Sequence, residues 1–117
     1  MADQTELEQH AGAVVVRVTG SVLDETNLPS VRAAVGEAGE RFRDEAIALD
    51  LAAVGFMPSV SLGGLIQLAQ FFRARKQRFA LVNVQPTVRE MLVLTRLDRI
   101  FEVHGSLSEF LKAVGKT

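Results

Sequence analysis

Residues 49–68 read LDLAAVGFMPSVSLGGLIQL. The stretch begins inside a short apolar run, 46–51 (AIALDL), which suits a strand covered on both faces. It ends in a segment where Leu62, Leu65, Ile66, Ala69 and either Phe72 or Arg73 recur at helical spacing, widened by Leu68 and Phe71. That periodicity predicts a helix of about four to five turns, ending near Lys76. Between the two lies Met57-Pro58-Ser59-Val60-Ser61. Pro58 fixes its own backbone angle and pushes Met57 toward an extended conformation, as expected of a strand-to-helix turn. A serine at such a turn has three readings: a nucleophile, a phosphate acceptor, or the cap of the helix that follows.

The same alternation extends on both sides. Upstream, 5–9 (TELEQ) and 13–19 (AVVVRVT) read as two strands of a hairpin turning at Gly12. Asn27 is placed to cap a helix starting at Leu28, with Pro29 in the first turn and Leu28, Val31, Val35 and Ala38 on its apolar face. Downstream, 78–84 (RFALVNV) reads as a buried strand. Thr87 and Glu90 have the spacing of a capping box before a helix with Met91, Leu92 and Leu94 or Thr95 on its apolar face. A short strand at 100–103 (IFEV) follows. A second box, Ser106 with Glu109, opens a last helix facing inward with Leu107, Phe110, Leu111 and Val114. The order ββαβαβαβα, with three strand–helix alternations, calls for an α/β domain on a mixed sheet: mostly parallel, with an antiparallel edge from the N-terminal hairpin and about four helices.

Composition narrows the function. At 117 residues the chain is sized for one domain, 1–117, with a core of about 5–115. Net charge is −1, from 13 basic and 14 acidic side chains, which disfavours a nucleic-acid binder relying on phosphate neutralisation. Cysteine is absent, so no disulfide frame, thiolate metal site or cysteine nucleophile exists. The start MADQTELEQH is polar and acidic, unlike a secretory signal, and no apolar run approaches the roughly 20 residues of a membrane span. The expectation is a cytoplasmic protein without direct membrane insertion. His10 and His104 have no ligand spacing between them, so neither a metal nor a cofactor is expected. The flanks of Ser59 are not the Gly-x-Ser-x-Gly elbow of hydrolases, and no phosphate-loop lysine follows. An enzyme is not expected.

Three blocks of the chain resemble the STAS domain, the family of anti-sigma factor antagonists and related modules. They are VVVRVTGSVLDETNLPSVRAAV, IALDLAAVGFMPSVSLGGL and RFALVNVQPTVREMLVLTRLDRIFEV, and the resemblance extends over about residues 5–115. The resemblance implies a STAS-like fold and a protein-binding regulatory role. It places Ser59 where the family's phosphorylated serine stands, after Phe56 and Met57 in the expected places. Pro58 replaces the usual aspartate, Val60 the second serine and Ser61 the glycine, while Leu62 and Gly63 match. Arg96 stands where a glycine is usual after the Leu-Thr pair. Lys76 or Gln77 stands at another common glycine between helix and strand.

The implied partner is an anti-sigma factor, a serine kinase of the histidine-kinase-like ATPase type. The alternative is the ATPase of a lipid-transport ABC complex, on which a lone STAS subunit docks. Candidate contacts are Met57, Pro58, Ser59, Val60, Ser61, Gly63, Gly64 and Asp24, in a footprint running from the turn along the first half of the helix to Leu68, with Ser59 as the phosphate acceptor and Ser61 as the spare. Each also has an ordinary structural role. Ser59 would be a helix N-cap, and Ser61 would sit in the first turn facing solvent or an orphan N–H. Gly63 and Gly64 would let the helix pack tightly on the sheet. Met57 and Val60 would form an exposed patch or join the core. Asp24 would be a turn carboxylate. The cations Arg73, Arg75, Lys76 and Arg78 would complement a helix C-terminus as a solvated face.

Overall fold

A computed structural model describes residues 5–115. The outermost residues of the expected 1–117 unit, 1–4 and 116–117, lie outside the described residues. Strands β1 (Thr5–His10) and β2 (Ala13–Val18) form the hairpin, with Gly12 at φ 81° in its turn. Helix α1 (Leu28–Arg41), β3 (Ala46–Asp50), α2 (Ser59–Ala74), β4 (Phe79–Val82) and α3 (Pro86–Leu94) follow in alternation. A 3-10 turn (Leu97–Arg99), β5 (Glu102–His104) and α4 (Leu107–Gly115) complete the order. The sheet runs β1-β2-β3-β4-β5, with β1 antiparallel to β2 and every later neighbour parallel.

Alternation along the strands divides the core into two layers. Val14, Val16, Ile47, Leu49 and Leu81 point to one face, where α1, α2 and α3 lay down Val31, Val35, Leu65, Phe72, Val88 and Leu92. Phe72 stacks on Phe79 of β4 with ring centroids 4.9 Å apart and planes 7° from parallel, so truncating Phe72 would cost about 3–5 kcal/mol. The opposite face carries Ala13, Val15, Ala46, Ala48, Ala80 and Val82. These short side chains let α4 lie close to the sheet and enclose Phe110, which is fully buried.

Several local expectations change. Asn27 precedes α1 but makes no capping bond: its side chain accepts from the Asp24 N–H at 2.9 Å and donates to the Val22 carbonyl at 2.8 Å. The box of Thr87 and Glu90 does not form, because Gln85 takes the cap position, Pro86 opens α3, and Thr87 donates to the Gly55 carbonyl instead. The cap at Ser106 does form, its hydroxyl accepting from the Glu109 N–H at 3.1 Å. The last strand is Glu102–His104 where 100–103 was expected, since the 3-10 turn ends at Arg99 and leaves Ile100 half exposed. The cations near the end of α2 are also not uniformly solvated. Arg75 pairs with Glu40 at 2.6 Å, and Arg78 forks onto Glu102 at 2.7–3.2 Å.

Candidate functional site

The turn between β3 and α2 is anchored from within and from both flanks. Asp50, the last residue of β3, is 2 % exposed, and its carboxylate accepts from the Ala52 N–H at 2.9 Å and from Arg17 Nε at 3.1 Å. A buried carboxylate satisfied in this way fixes where the turn begins. On the α3 side, the Gln85 amide donates to the Ala52 carbonyl at 2.7 Å and Thr87 to that of Gly55 at 3.3 Å. On the α1 side, the Gly55 N–H reaches the Ser21 carbonyl at 2.9 Å and the Leu23 N–H reaches the Phe56 carbonyl at 3.1 Å, forming a single parallel bridge between Val22 and Phe56. The bridge brings the loop bearing Asp24 to the turn bearing Ser59. Asp24 itself is spent on a local turn: its carboxylate accepts from the Thr26 hydroxyl at 2.5 Å and the Thr26 N–H at 2.9 Å, and these bonds, the hydroxyl's first, hold its pKa below the ordinary value.

Ser59 is the first residue of α2 and not its cap. Pro58 takes the cap position in an extended conformation (φ −68°, ψ 161°), and its carbonyl accepts from the Ser61 N–H at 2.9 Å. One step inside the helix, the Ser59 hydroxyl does not reach the N–H groups that a cap would satisfy. It is exposed and holds no hydrogen bond among the described residues. No acidic side chain stands in the first turn of α2, so the positive end of its dipole is not countered there.

The candidate contacts divide by exposure. Ser59, Val60 and Gly63 face solvent, and Pro58 and Asp24 are half-buried. Met57 belongs to the core at 1 % exposure and contributes nothing to a surface patch. Ser61 is fully buried, its hydroxyl donating to the Leu23 carbonyl at 2.6 Å, where a position facing solvent or an orphan N–H was expected. Gly64 is buried where α2 crosses α1, and a Cβ there would lie 2.6 Å from Leu28 Cδ2. Gly63, by contrast, would gain a Cβ with nothing within 4 Å. The apolar surface at the turn is therefore Phe56, 59 % exposed, with Val60, 57 % exposed. Phe56 was not among the expected contacts. The signal was present, because adjacent residues in an extended segment point to opposite sides, so Phe56 and Met57 cannot both turn inward.

No group of three or more His, Asp or Glu side chains is placed to hold a metal among the described residues. His104 is engaged with Glu102 at 2.8 Å and His10 with Glu8 at 2.7 Å. No helix among the described residues is long and apolar enough to cross a membrane.

The profile of the STAS domain matches residues 4–110. An anti-sigma F factor antagonist of Paenibacillus polymyxa is 31 % identical over 103 residues, 88 % of this chain and 87 % of that one. The crystal structure of an anti-sigma factor antagonist from Mycobacterium paratuberculosis is 31 % identical, covers 94 % of this chain and 92 % of its own, and superposes with a TM-score of 0.78. An anti-sigma-factor antagonist (STAS) domain protein from Planctomyces limnophilus shares the fold at a TM-score of 0.83 with 22 % identity, over 95 % of this chain and 97 % of that one.

Proposed function

Because the chain belongs to the STAS domain family, we propose that it is a cytoplasmic anti-sigma factor antagonist whose partner is an anti-sigma kinase of the histidine-kinase-like ATPase type. It docks through the surface of Phe56, Ser59, Val60 and Gly63, with Pro58 and Asp24 at its margin. The proposed switch is phosphorylation of Ser59. The observation that carries this reading is the exposed, unbonded hydroxyl of Ser59 at the open end of α2, beside two exposed apolar side chains.

The chemistry of the switch follows from that position. Phosphate adds about −1.5 to −2 charges at neutral pH. At a helix N-terminus this charge meets a favourable dipole and free N–H groups, so the fold tolerates it. A partner seated on Phe56 and Val60 does not, because the phosphate would be buried without a counter-charge. The proline at 58 removes the carboxylate that precedes the serine elsewhere in the family, which lowers like-charge repulsion on the product and withdraws a contact that a kinase could use. Ser61 is not a credible second acceptor in the folded state, since its hydroxyl is buried and bonded.

Affinity purification of the tagged protein from its source cells, read by mass spectrometry for partner and phosphate, tests the proposal. A histidine-kinase-like ATPase with phosphate on Ser59 is the expected result. The same ATPase without phosphate would leave an unswitched antagonist. Subunits of an ABC transporter would overturn the anti-sigma reading.

A further inference from the structure

Gly39 and Gly64 have internal reasons to be glycine, since a Cβ would meet Phe72 Cε1 at 2.5 Å or Leu28 Cδ2 at 2.6 Å. Gly36 in α1 and Gly63 in α2 do not, for nothing lies within 4 Å of either. Glycine inside a helix is unfavourable relative to alanine, so an internal account of these two is missing. Gly36 lines a groove of about 400 Å³ between α1 and α2, together with Arg32, Ala33, Leu68 and Phe71. The groove is largely apolar, and no acidic side chain lines it. Arg32 is exposed and has no ion pair or hydrogen bond among the described residues. On α2, Val60, Gly63, Gln67 and Phe71 succeed one another at spacings of three and four, all exposed, so one stripe leads from the Ser59 turn to the groove.

We propose that a helix of the ATPase partner lies along this stripe and seats an apolar side chain in the α1–α2 groove, with a neighbouring carboxylate on Arg32. The inference rests on the docking reading above and extends its footprint from the turn down both helices. Helix-in-groove recognition supplies the apolar anchor, and the unpaired cation in an acid-free groove supplies the charge preference. A small ligand is a poor fit, because the groove is open to solvent and would leave much of it uncovered. A second copy is disfavoured by charge, since a two-fold pairing of grooves sets Arg32 against Arg32.

Site-specific photo-cross-linking in the source cells tests this, with the reactive amino acid at Val60 in one variant and at Gly36 in another. Adducts from both positions to the same histidine-kinase-like ATPase are expected. Arg32→Glu should then weaken the purified complex at least tenfold without moving the melting temperature of the free protein. An adduct from Val60 alone, or an unchanged affinity in Arg32→Glu, overturns the groove and leaves the turn standing. An adduct from Gly36 to a second copy or to another protein also overturns it. No adduct from Val60 overturns the docking reading itself.

Discussion

The hydroxyl of Ser61 donates to the backbone carbonyl of Leu23 at 2.6 Å, across 38 residues of sequence and out of solvent. It fastens the first turn of α2 to the loop before α1, beside the bridge that joins Val22 to Phe56. Ser61→Ala leaves that carbonyl buried without its donor, so stability should fall by about 1–3 kcal/mol. Chemical denaturation of the two proteins measures the difference, and an unchanged midpoint would remove Ser61 from the scaffold.

Ser59 should behave oppositely. Ser59→Ala removes an exposed hydroxyl without partners and should shift stability by less than about 0.5 kcal/mol. Ser59→Asp places a negative charge at the start of α2 and should stabilise the free protein slightly, by about 0.3–1 kcal/mol at low salt. The same substitution should weaken binding of the proposed ATPase partner by about 2–5 kcal/mol. Calorimetry of the free protein and titration with the partner separate the two effects.

The adjacent glycines of α2 provide a matched pair. Gly63→Ala enters open space and should stabilise the helix by about 1 kcal/mol. Gly64→Ala meets Leu28, whose Cδ2, Cδ1 and Cγ lie 2.6, 3.1 and 3.2 Å from the new Cβ. Overpacking of this contact should destabilise by about 1–3 kcal/mol. Thermal melts of the two variants should move in opposite directions.

Arg96 sits in the left-handed region at φ 62° without being glycine, between the end of α3 and the 3-10 turn. For an L-residue that conformation costs about 1–2 kcal/mol, part of which glycine gives back through its larger unfolded-state entropy. Arg96→Gly should therefore be neutral or stabilise by up to about 1 kcal/mol, and Arg96→Val should destabilise. Equilibrium unfolding that ranks valine above glycine would contradict the assignment.

Glu102 sets part of the acid limb of stability. Burial works to raise its pKa, but hydrogen bonds from Arg78 and His104 outweigh burial and hold the carboxyl below 4.5. A folded value beneath the unfolded one means that charged Glu102 stabilises the fold above the ordinary carboxylate range. The contribution is lost as pH falls through the lowered folded value. Glu102→Gln should be less stable than the parent at neutral pH, and the gap should close on acidification below 4.5. A gap that widens toward low pH would reverse the sign of the linkage.

Much of this architecture was legible from periodicity. The fully buried strands at 46–50 and 79–82, the hairpin at Gly12 and the inward faces of α1 and α2 follow from apolar spacing, which burial enforces directly. What escaped were side chains whose partners are remote in sequence. Thr87 carries a local capping signal, yet it is drawn to the Gly55 carbonyl, which only the tertiary fold brings near. Ser61 was expected to face solvent or an orphan N–H because nothing nearby in sequence announces Leu23. The family's two missing glycines were informative in another way. Lys76 at φ 58° and Arg96 at φ 62° both retain the left-handed backbone that a glycine would adopt freely, and this resolves the choice between Lys76 and Gln77. Gln77 has a separate task, its amide donating to the carbonyls of Gly39, Phe42 and Glu45.

The double anchoring of the turn before Ser59 bears on how a signal could leave it. Five backbone or side-chain bonds reach it from the α1 loop, the start of α3 and Asp50, so it has little slack to change shape. A mark written there stays where it is written. A phosphate on Ser59, in the switch proposed above, would alter one oxygen on a fixed surface and leave the sheet as it is. Memory, gain and timing would then reside in the enzymes that write and erase the mark, with this protein serving as the page.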